Sequence, residues 1–363
     1  MDFEIADDRR MLADTLSRWL AEEYPFALRT AAAYEAPFHR PDKWIGLAEL
    51  GALMALAPES RGGFGGTGFD VTTVFEEIGR ALCPEPLLPQ LMAVRLLMAS
   101  GEDVVGDELA GALDGTVRYA VALGELGAPY ALEDIETRYA AGTVSGRKSV
   151  VYGAPGADRI LVAARGDDGR LALAEVDGAA AEIAAYGMID GGPAGEVFLD
   201  TAPARLVLAD AAGALQDALD WGALALCAEA VGAMDHAFKV LIDYLKSRNQ
   251  FGRAIGDFQA LQHRAVDLSI EIEQARSITI LAASRMGTPA QSRTSSMAKN
   301  LIGRAAKMTA EETIQMHGGI AMTWEYPISH CAKRLIMLDA QLGDTDFHLE
   351  RVMRLAGPGD LAA

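Results

Sequence analysis

The chain has 363 residues, too many for one hydrophobic core and enough for two or three compact units. Half of the residues are hydrophobic, yet the formal net charge is −19 and the pI about 4.7. That balance excludes the basic surface a nucleic-acid partner needs, and any anionic ligand must be met by a local group of Arg side chains and amides. No apolar run approaches the roughly 20 residues that span a membrane, so no membrane partner is expected.

The opening residues Met1-Asp2-Phe3-Glu4 are acidic, unlike a signal or transit peptide, which points to a cytoplasmic protein. Leu12, Leu16, Trp19 and Leu20 repeat at helical spacing, and Trp44 to Leu56 reads as an apolar helix ended by Pro58. Arg61-Gly62-Gly63-Phe64-Gly65-Gly66-Thr67-Gly68 could cradle a phosphate. No Gly-Lys-Ser/Thr follows it and no strand precedes it, so a turn before a helix over Val71 to Leu82 is the favoured reading. Cys83, Cys227 and Cys331 have no metal-ligand spacing and read as reduced, packed thiols; the six histidines form no ligand pair, so no metal is expected.

The pattern changes over residues 114–210. Val117 to Leu123, Ile160 to Ala164 and Leu171 to Val176 are short apolar runs between Gly- and Asp-rich turns, the signature of strands in a small β domain. From 211 onward the helical period returns. Leu224, Cys227, Val231, Met234, Phe238, Leu241 and Leu245 form one seam, and Leu261, Ala265, Leu268, Ile272, Ala275, Thr279 and Ala282 form another. Two further helices, about 290–316 and 328–355, would complete a four-helix bundle. The fold class is therefore α+β, mostly α, with a helical domain over 1–113, a β domain over 114–210 and a helical bundle over 211–363.

Two stretches in the last third are chemically specific. Between the seams lies Arg248-Asn249-Gln250-Phe251-Gly252-Arg253-Ala254-Ile255-Gly256-Asp257-Phe258-Gln259-Ala260-Leu261-Gln262. Gly252 and Gly256 let the backbone turn and approach a ligand closely, Arg248 carries a fork that suits a diphosphate, Phe251 and Phe258 are apolar anchors, and Gln259 and Gln262 suit neutral polar groups. The same spacing also fits a helix-loop-helix connection with a Gly cap. Some 55 residues further on come Gln315-Met316-His317-Gly318-Gly319 and Trp324-Glu325-Tyr326-Pro327.

Taken in this order, the two stretches resemble the acyl-CoA dehydrogenase family, in which R-x-x-F-G, the following F-Q-x-x-Q and Q-x-x-G-G bind the ADP part of FAD held mainly by a neighbouring subunit. The glycine-rich loop is similar to the family's Y-G-G-x-G turn, and the helical, β, helical order matches its three domains. The resemblance implies FAD as cofactor, with Arg248, Gln250, Phe251, Gly252, Ile255, Phe258, Gln259, Gln315, Met316, His317, Gly318 and Gly319 binding it. It implies an acyl-CoA substrate in lipid or steroid catabolism, and an electron-transfer flavoprotein or similar acceptor.

The carboxylate base that the family places in its C-terminal Y-E-G-T-S-E falls on Leu342, and the alternative position before R-x-x-F-G falls on Gly222. Asp344 and Asp346 are the candidate substitutes, with Asp344 foremost; the same residues read, more favourably, as a turn and helix N-cap before Phe347. The family's L-T-E-P-x-A-G-S-D segment is matched by Leu123 to Ala131 with few identities, and the Trp of K-x-W-I-T is replaced by Val150. Features that would hold the chain's own flavin are eroded, whereas those that serve a neighbour's are kept. This asymmetry is similar to the small subunit of heteromeric enzymes of the pimeloyl-CoA or steroid side-chain type, in which a second subunit supplies the Glu and most of the flavin site in a heterotetramer. A homotetramer using Asp344, or a non-catalytic homologue binding little or no FAD, are the alternatives.

Overall fold

A computed structural model describes residues 6–356. The chain divides into two compact units that interleave along the sequence. One is helical, with residues up to Phe26, Val71–Cys83 and Ala223 onward; the other carries the β-sheet, with Ala27–Asp70 and Pro84–Gly222.

The helical unit contains α1 (Asp7–Glu23). Its other helices begin with α4 (Gly68–Ala81) and the greater part of α7 (Ala212–Ser247). They continue with α8 (Gln259–Arg285), α9 (Gln291–His317), α10 (Pro327–Ala340) and α11 (Thr345–Leu355). The α7 seam is buried except for the half-buried Phe238, and in the α8 seam all but Leu261 are buried. Where α4 meets α7, a Cβ on Gly79 would lie 1.9 Å from Glu229 O, and one on Gly232 would lie 1.9 Å from Glu76 O. The two glycines admit each other's backbone, which outweighs the roughly 0.5–1 kcal/mol each costs inside a helix. Ion pairs then fix the rotation of the helices. Arg276 of α8 holds Asp235 of α7 at 2.6 Å and Glu76 of α4 at 3.4 Å, and Arg334 of α10 grips Glu229 of α7 at 2.6 and 2.8 Å.

The expected helix over 328–355 is two helices. Leu342 and Gly343 take left-handed backbone, φ 56° and 105°, and break it between Gln341 and Asp344. Likewise Trp44 to Leu56 is interrupted. In that stretch α3 (Pro41–Glu49) stops before Gly51, at φ 82°, where the ring of Phe64 lies 2.8 Å from the place of a Cβ, and only a short 3-10 turn, Met54–Leu56, follows.

The sheet unit contains seven strands together with α2 (Phe26–Tyr34, from Ala27 onward), α3, α5 (Leu87–Ala99) and α6 (Glu102–Asp114). The strands are β1 (Tyr119–Ala122), β2 (Arg138–Ala140), β3 (Thr143–Tyr152), β4 (Arg159–Arg165), β5 (Leu171–Asp177), β6 (Glu182–Gly187) and β7 (Pro193–Leu208). Their order is β1-β4-β2-β3-β7-β5, and β5 also pairs with β4, so the middle strands close into a ring with β1 and β6 on its flanks. Val144, Val151, Ile160, Val162, Val176, Val197 and Leu199 belong to its core. In the glycine-rich loop the amides of Gly62, Gly63, Phe64, Gly65 and Gly66 all donate to backbone carbonyls of Met54 to Glu59, and Thr67 N donates to Asp70 Oδ2. None is left for a phosphate, and the loop is the structural turn before α4.

One buried ion pair anchors the start of the ring. Lys148 is fully buried, and its Nζ donates to Glu125 Oε1 at 2.7 Å and to Leu123 O at 3.0 Å. Glu125 also accepts from the backbone N–H groups of Glu136 and Thr137 and from Thr137 Oγ1. Burial pushes the Glu125 carboxyl up, but the bonds from Lys148, Thr137 and Glu136 outweigh it and hold it down to about 2. A folded value below the unfolded one contributes stability above about pH 4.5. That contribution fades as the pH falls toward 2, so the midpoint of thermal unfolding should drop between pH 6 and 3, and less in Glu125→Gln. Glu125→Ala, which strands the Lys148 ammonium, should cost about 3–5 kcal/mol in urea unfolding; a loss below about 1 kcal/mol would show that the pair does not hold the ring together.

Candidate functional site

The stretch after α7 folds into a two-stranded hairpin rather than a plain helical connection. β8 (Asn249–Gln250) pairs antiparallel with β9 (Arg253–Ala254), with Asn249 opposite Ala254 and Gln250 opposite Arg253. The two turn residues are both left-handed, Phe251 at φ 55° and Gly252 at φ 82°, the geometry of a tight hairpin turn. Gly252 is required by this conformation, since a Cβ there would meet nothing within 4 Å; Gly256 is required by close approach, since its Cβ would lie 2.9 Å from Leu245 O. Phe251 has the conformational penalty of a bulky left-handed residue, and it is 91% exposed. Its ring meets Phe258 edge-on at 6.1 Å, and the Arg253 guanidinium lies 4.0 Å from the Phe258 centroid.

This end of the unit carries three exposed cations close together in an acidic chain. Lys246, Arg248 and Arg253 are exposed within eight residues of sequence. Arg248 N is fixed by Tyr244 O at 2.8 Å, and its carbonyl accepts from Ile255 N at 2.8 Å, so the backbone under the guanidinium is held at both ends. Gln259, exposed, starts α8, whose first turn has no side-chain cap. Gln262 is partly committed, because its Nε2 donates to Gly256 O at 2.8 Å and closes the loop onto the helix. Gln250 is exposed and Ile255 half-buried.

The second stretch comes to the same end of the bundle. Tyr244, one turn before Arg248, stacks on His317 with centroids 4.6 Å apart, and Tyr326 closes on His317 at 5.3 Å. Arg264 of α8 pairs with Glu312 of α9 at 2.7 Å. Met316 and His317 are buried, and the His317 Nδ1 donates to Thr313 O at 2.7 Å; burial lowers its pKa, leaving a neutral ring. Neither side chain is available to a ligand, and both serve to place the exposed Gln315, Gly318 and Gly319. Gly318 is left-handed at φ 69°, whereas Gly319 has no such need, and a Cβ on either would meet nothing within 4 Å. A bare backbone facing open space, just past the His317 that meets Tyr244, fits the approach of an anionic group of a cofactor.

The positions considered for a base behave differently. Gly222 is buried within α7. Leu342 is half-buried at the left-handed corner of the α10–α11 turn, and its carbonyl accepts from His348 Nε2 at 3.1 Å. Asp344 is the N-cap of α11, with Oδ1 accepting from Phe347 N at 2.8 Å; Asp346 is exposed in the first turn of that helix. In the sheet unit, Val150 is left-handed at φ 51° and 42% exposed at a bulge of β3. Glu196 pins that bulge, accepting from Ser149 Oγ at 2.8 Å, Val150 N at 3.2 Å and Tyr186 Oη at 3.1 Å. Arg253 lies in the 248–262 stretch without a role there, and Tyr244 and the buried Lys299 carry no mark of a motif in the sequence. Tyr244 had one signal, its place a helical turn before Arg248; Lys299 had none.

The capping role makes a prediction. Asp344→Ala should cost about 0.5–2 kcal/mol of stability, while Asp344→Asn, an equally good cap, should cost almost nothing. Equal losses in the two variants by denaturant unfolding would contradict the cap as the main role of this side chain.

Residues 212–356 match the family model described as acyl-CoA dehydrogenase, C-terminal domain, and residues 6–109 match acyl-CoA dehydrogenase, N-terminal domain. Acyl-CoA dehydrogenase IpdE2 of Mycolicibacterium smegmatis is 30% identical over 335 residues, which is 91% of this chain and 93% of that protein. Among solved structures, a steroid ACAD described as the Tcur3481-Tcur3483 G363A variant is 28% identical with a TM-score of 0.87, covering 98% of this chain and 99% of that one. The ChsE4-ChsE5 complex from Mycobacterium tuberculosis, 23% identical with a TM-score of 0.88 over 98% of both chains, shares the fold. The chain belongs to the acyl-CoA dehydrogenase family.

Proposed function

We propose that this chain is the cofactor-completing subunit of an FAD-dependent acyl-CoA dehydrogenase that desaturates an acyl-CoA thioester between Cα and Cβ, with a partner subunit carrying the catalytic Glu and most of the flavin site. The observation that carries this reading is a contrast within one unit. The surface suited to a neighbour's dinucleotide is built and open, with Phe251 91% exposed and unobstructed space over Gly318 and Gly319. The position of the base is a leucine, and the nearest carboxylate beyond it, Asp344, is engaged as a helix cap.

On this reading Arg248 grips the diphosphate with its guanidinium, and Arg253 adds positive charge beside it. The amides at the start of α8 favour the same anion. Gly318 and Gly319 let the backbone come within contact distance of the dinucleotide, with Gln315 and Gln259 at the rim. FAD, when bound, supplies the hydride acceptor of the desaturation. Proton abstraction from Cα needs a carboxylate within reach of the Cα proton, which Leu342 and Gly222 cannot supply. The chain thus binds and orients the cofactor and leaves the proton chemistry to its partner. A shared site requires at least a dimer, and a heterotetramer is the assembly proposed. The rest of the proposal is a cytoplasmic enzyme of lipid or steroid catabolism that passes electrons to an electron-transfer flavoprotein or similar acceptor; the steroid enzyme among its relatives supports the substrate class.

Two measurements test it. The purified chain alone should give no turnover with acyl-CoA and an artificial acceptor, activity should appear with a Glu-bearing partner, and Asp344→Asn should leave that activity intact. Turnover by the chain alone, reduced by roughly 10²–10⁴-fold in Asp344→Asn, would make Asp344 the base and overturn the reading. In the assembled enzyme, Arg248→Ala should weaken flavin retention by about 1.5–3 kcal/mol, with Arg248→Lys recovering only part. Unchanged flavin occupancy in the alanine variant would return Arg248 to an ordinary surface charge.

A further inference from the structure

Beneath the α10–α11 turn lies an ammonium group with no route to water. Lys299, in the middle of α9, is fully buried, and its Nζ donates to Asp339 O at 2.8 Å and to Gly343 O at 2.9 Å. Asp339 is in the last turn of α10, whose carbonyls lack intrahelical partners and favour a cation. The neighbouring Asn300 donates from Nδ2 to Thr345 O at 2.9 Å, Thr345 Oγ1 donates to Asp339 Oδ1 at 2.9 Å, and His348 Nε2 donates to Leu342 O at 3.1 Å. Gly303 brings α9 hard against the same place, since a Cβ there would lie 2.0 Å from Asp339 Oδ1 and 2.4 Å from Thr345 Oγ1. Four carbonyls in and beside the turn are therefore each held by a side chain of α9 or α11. Such over-determination is what keeps a leucine in left-handed backbone.

We propose that Lys299 is a positioning residue: its ammonium locks the turn that carries position 342, where the family places its base, and keeps Asp344 committed to capping α11. The inference needs the family's placement of the base but not the partner reading, because the lock exists within one chain. Lys299 is met by Cys227 from α7, Arg334 and Asp339 from α10, Asp344 from the turn and His348 from α11. Burial pushes Lys299 down to about 8, against the opposing influence of Cys227, Asp339 and Asp344. Burial pushes Cys227 up to about 12, and burial together with Lys299 pushes His348 down to about 3. Of these three groups, Lys299 is the one that changes charge just above neutrality. Its neutral amine would still have two hydrogens to donate, but as weaker bonds without charge assistance.

Hydrogen exchange by mass spectrometry on the full chain tests the lock without flavin, partner or activity. Across the peptide covering 341–347, Lys299→Met should raise exchange about tenfold or more at pH 7, with Lys299→Gln intermediate and the α8 peptides unchanged. After correction for intrinsic rates, the wild-type peptide should lose protection between pH 7 and 9, and Lys299→Met should show no such step. Equal protection in wild type and Lys299→Met, or a flat wild-type pH series, overturns the proposal. Where Lys299→Met fails to fold, the wild-type series and Lys299→Gln decide it alone. Because none of these readouts passes through catalysis, failure here leaves the partner reading standing, and failure of the partner reading leaves the lock standing.

Discussion

Everything at the candidate site depends on one aromatic contact, Tyr244 against His317 at the end of the helical unit. It brings the close of α7 to the close of α9, so that a hairpin and a pair of glycines distant in sequence come to one end of the unit. Tyr326 meets His317 from the N-cap of the next long helix, and the hydrogen bond from His317 to Thr313 O fixes the ring plane. The two residues after His317 can then be bare glycine without loss of order, because the side chain just before them is the anchor. Burial of a neutral imidazole in this position serves packing.

The helical unit therefore combines two opposite designs. At the hairpin the chain leaves polar and aromatic groups open, including a left-handed phenylalanine whose ring meets Phe258. Exposed aromatic surface beside cations costs a lone chain solubility and gains it nothing, which is the physical case for a second molecule at this face. At the α10–α11 turn the reverse holds. Backbone carbonyls, a helix terminus and a buried lysine satisfy one another, and Asp344 faces its own helix. A group that takes a proton from a substrate must be free to turn toward it, whereas Asp344 is oriented by the bond from Phe347 N to its Oδ1.

Much of this was legible in the residues. The two seams identified the bundle because their spacing follows helix geometry directly, and the glycine pair marked the candidate site. Gly252 and Gly256 were singled out for turning and for close approach to a ligand; Gly252 lies in the turn, whereas the close approach at Gly256 is to Leu245 O of the same chain. The hairpin itself was hidden, since Phe-Gly is not the Asn-Gly or Asp-Gly pair that signals such a turn. Only β1, β4 and β5 of the sheet could be read. β3 and β7 are long, bulged and exposed at intervals, which destroys the alternation that marks a strand. The break between α10 and α11 was concealed by helical periodicity on both sides, and the cause of its shape, Lys299, looks in sequence like any surface lysine. Long-range pairs such as Lys299 with Gly343 leave no periodic trace, because nothing in local spacing records which carbonyl a side chain will meet 44 residues away.

The central claim is that this chain completes a dinucleotide site whose flavin ring belongs to another subunit. Determining the structure of the assembled, flavin-loaded enzyme tests it most directly. The account predicts the ADP portion of FAD lying against Arg248, the Phe251-Gly252 turn and the Gly318-Gly319 backbone, with the isoalloxazine ring enclosed by the partner chain and facing the partner's Glu. An isoalloxazine ring resting on Val150 of this chain, with its acyl-CoA beside Leu342 and Asp344, would contradict it.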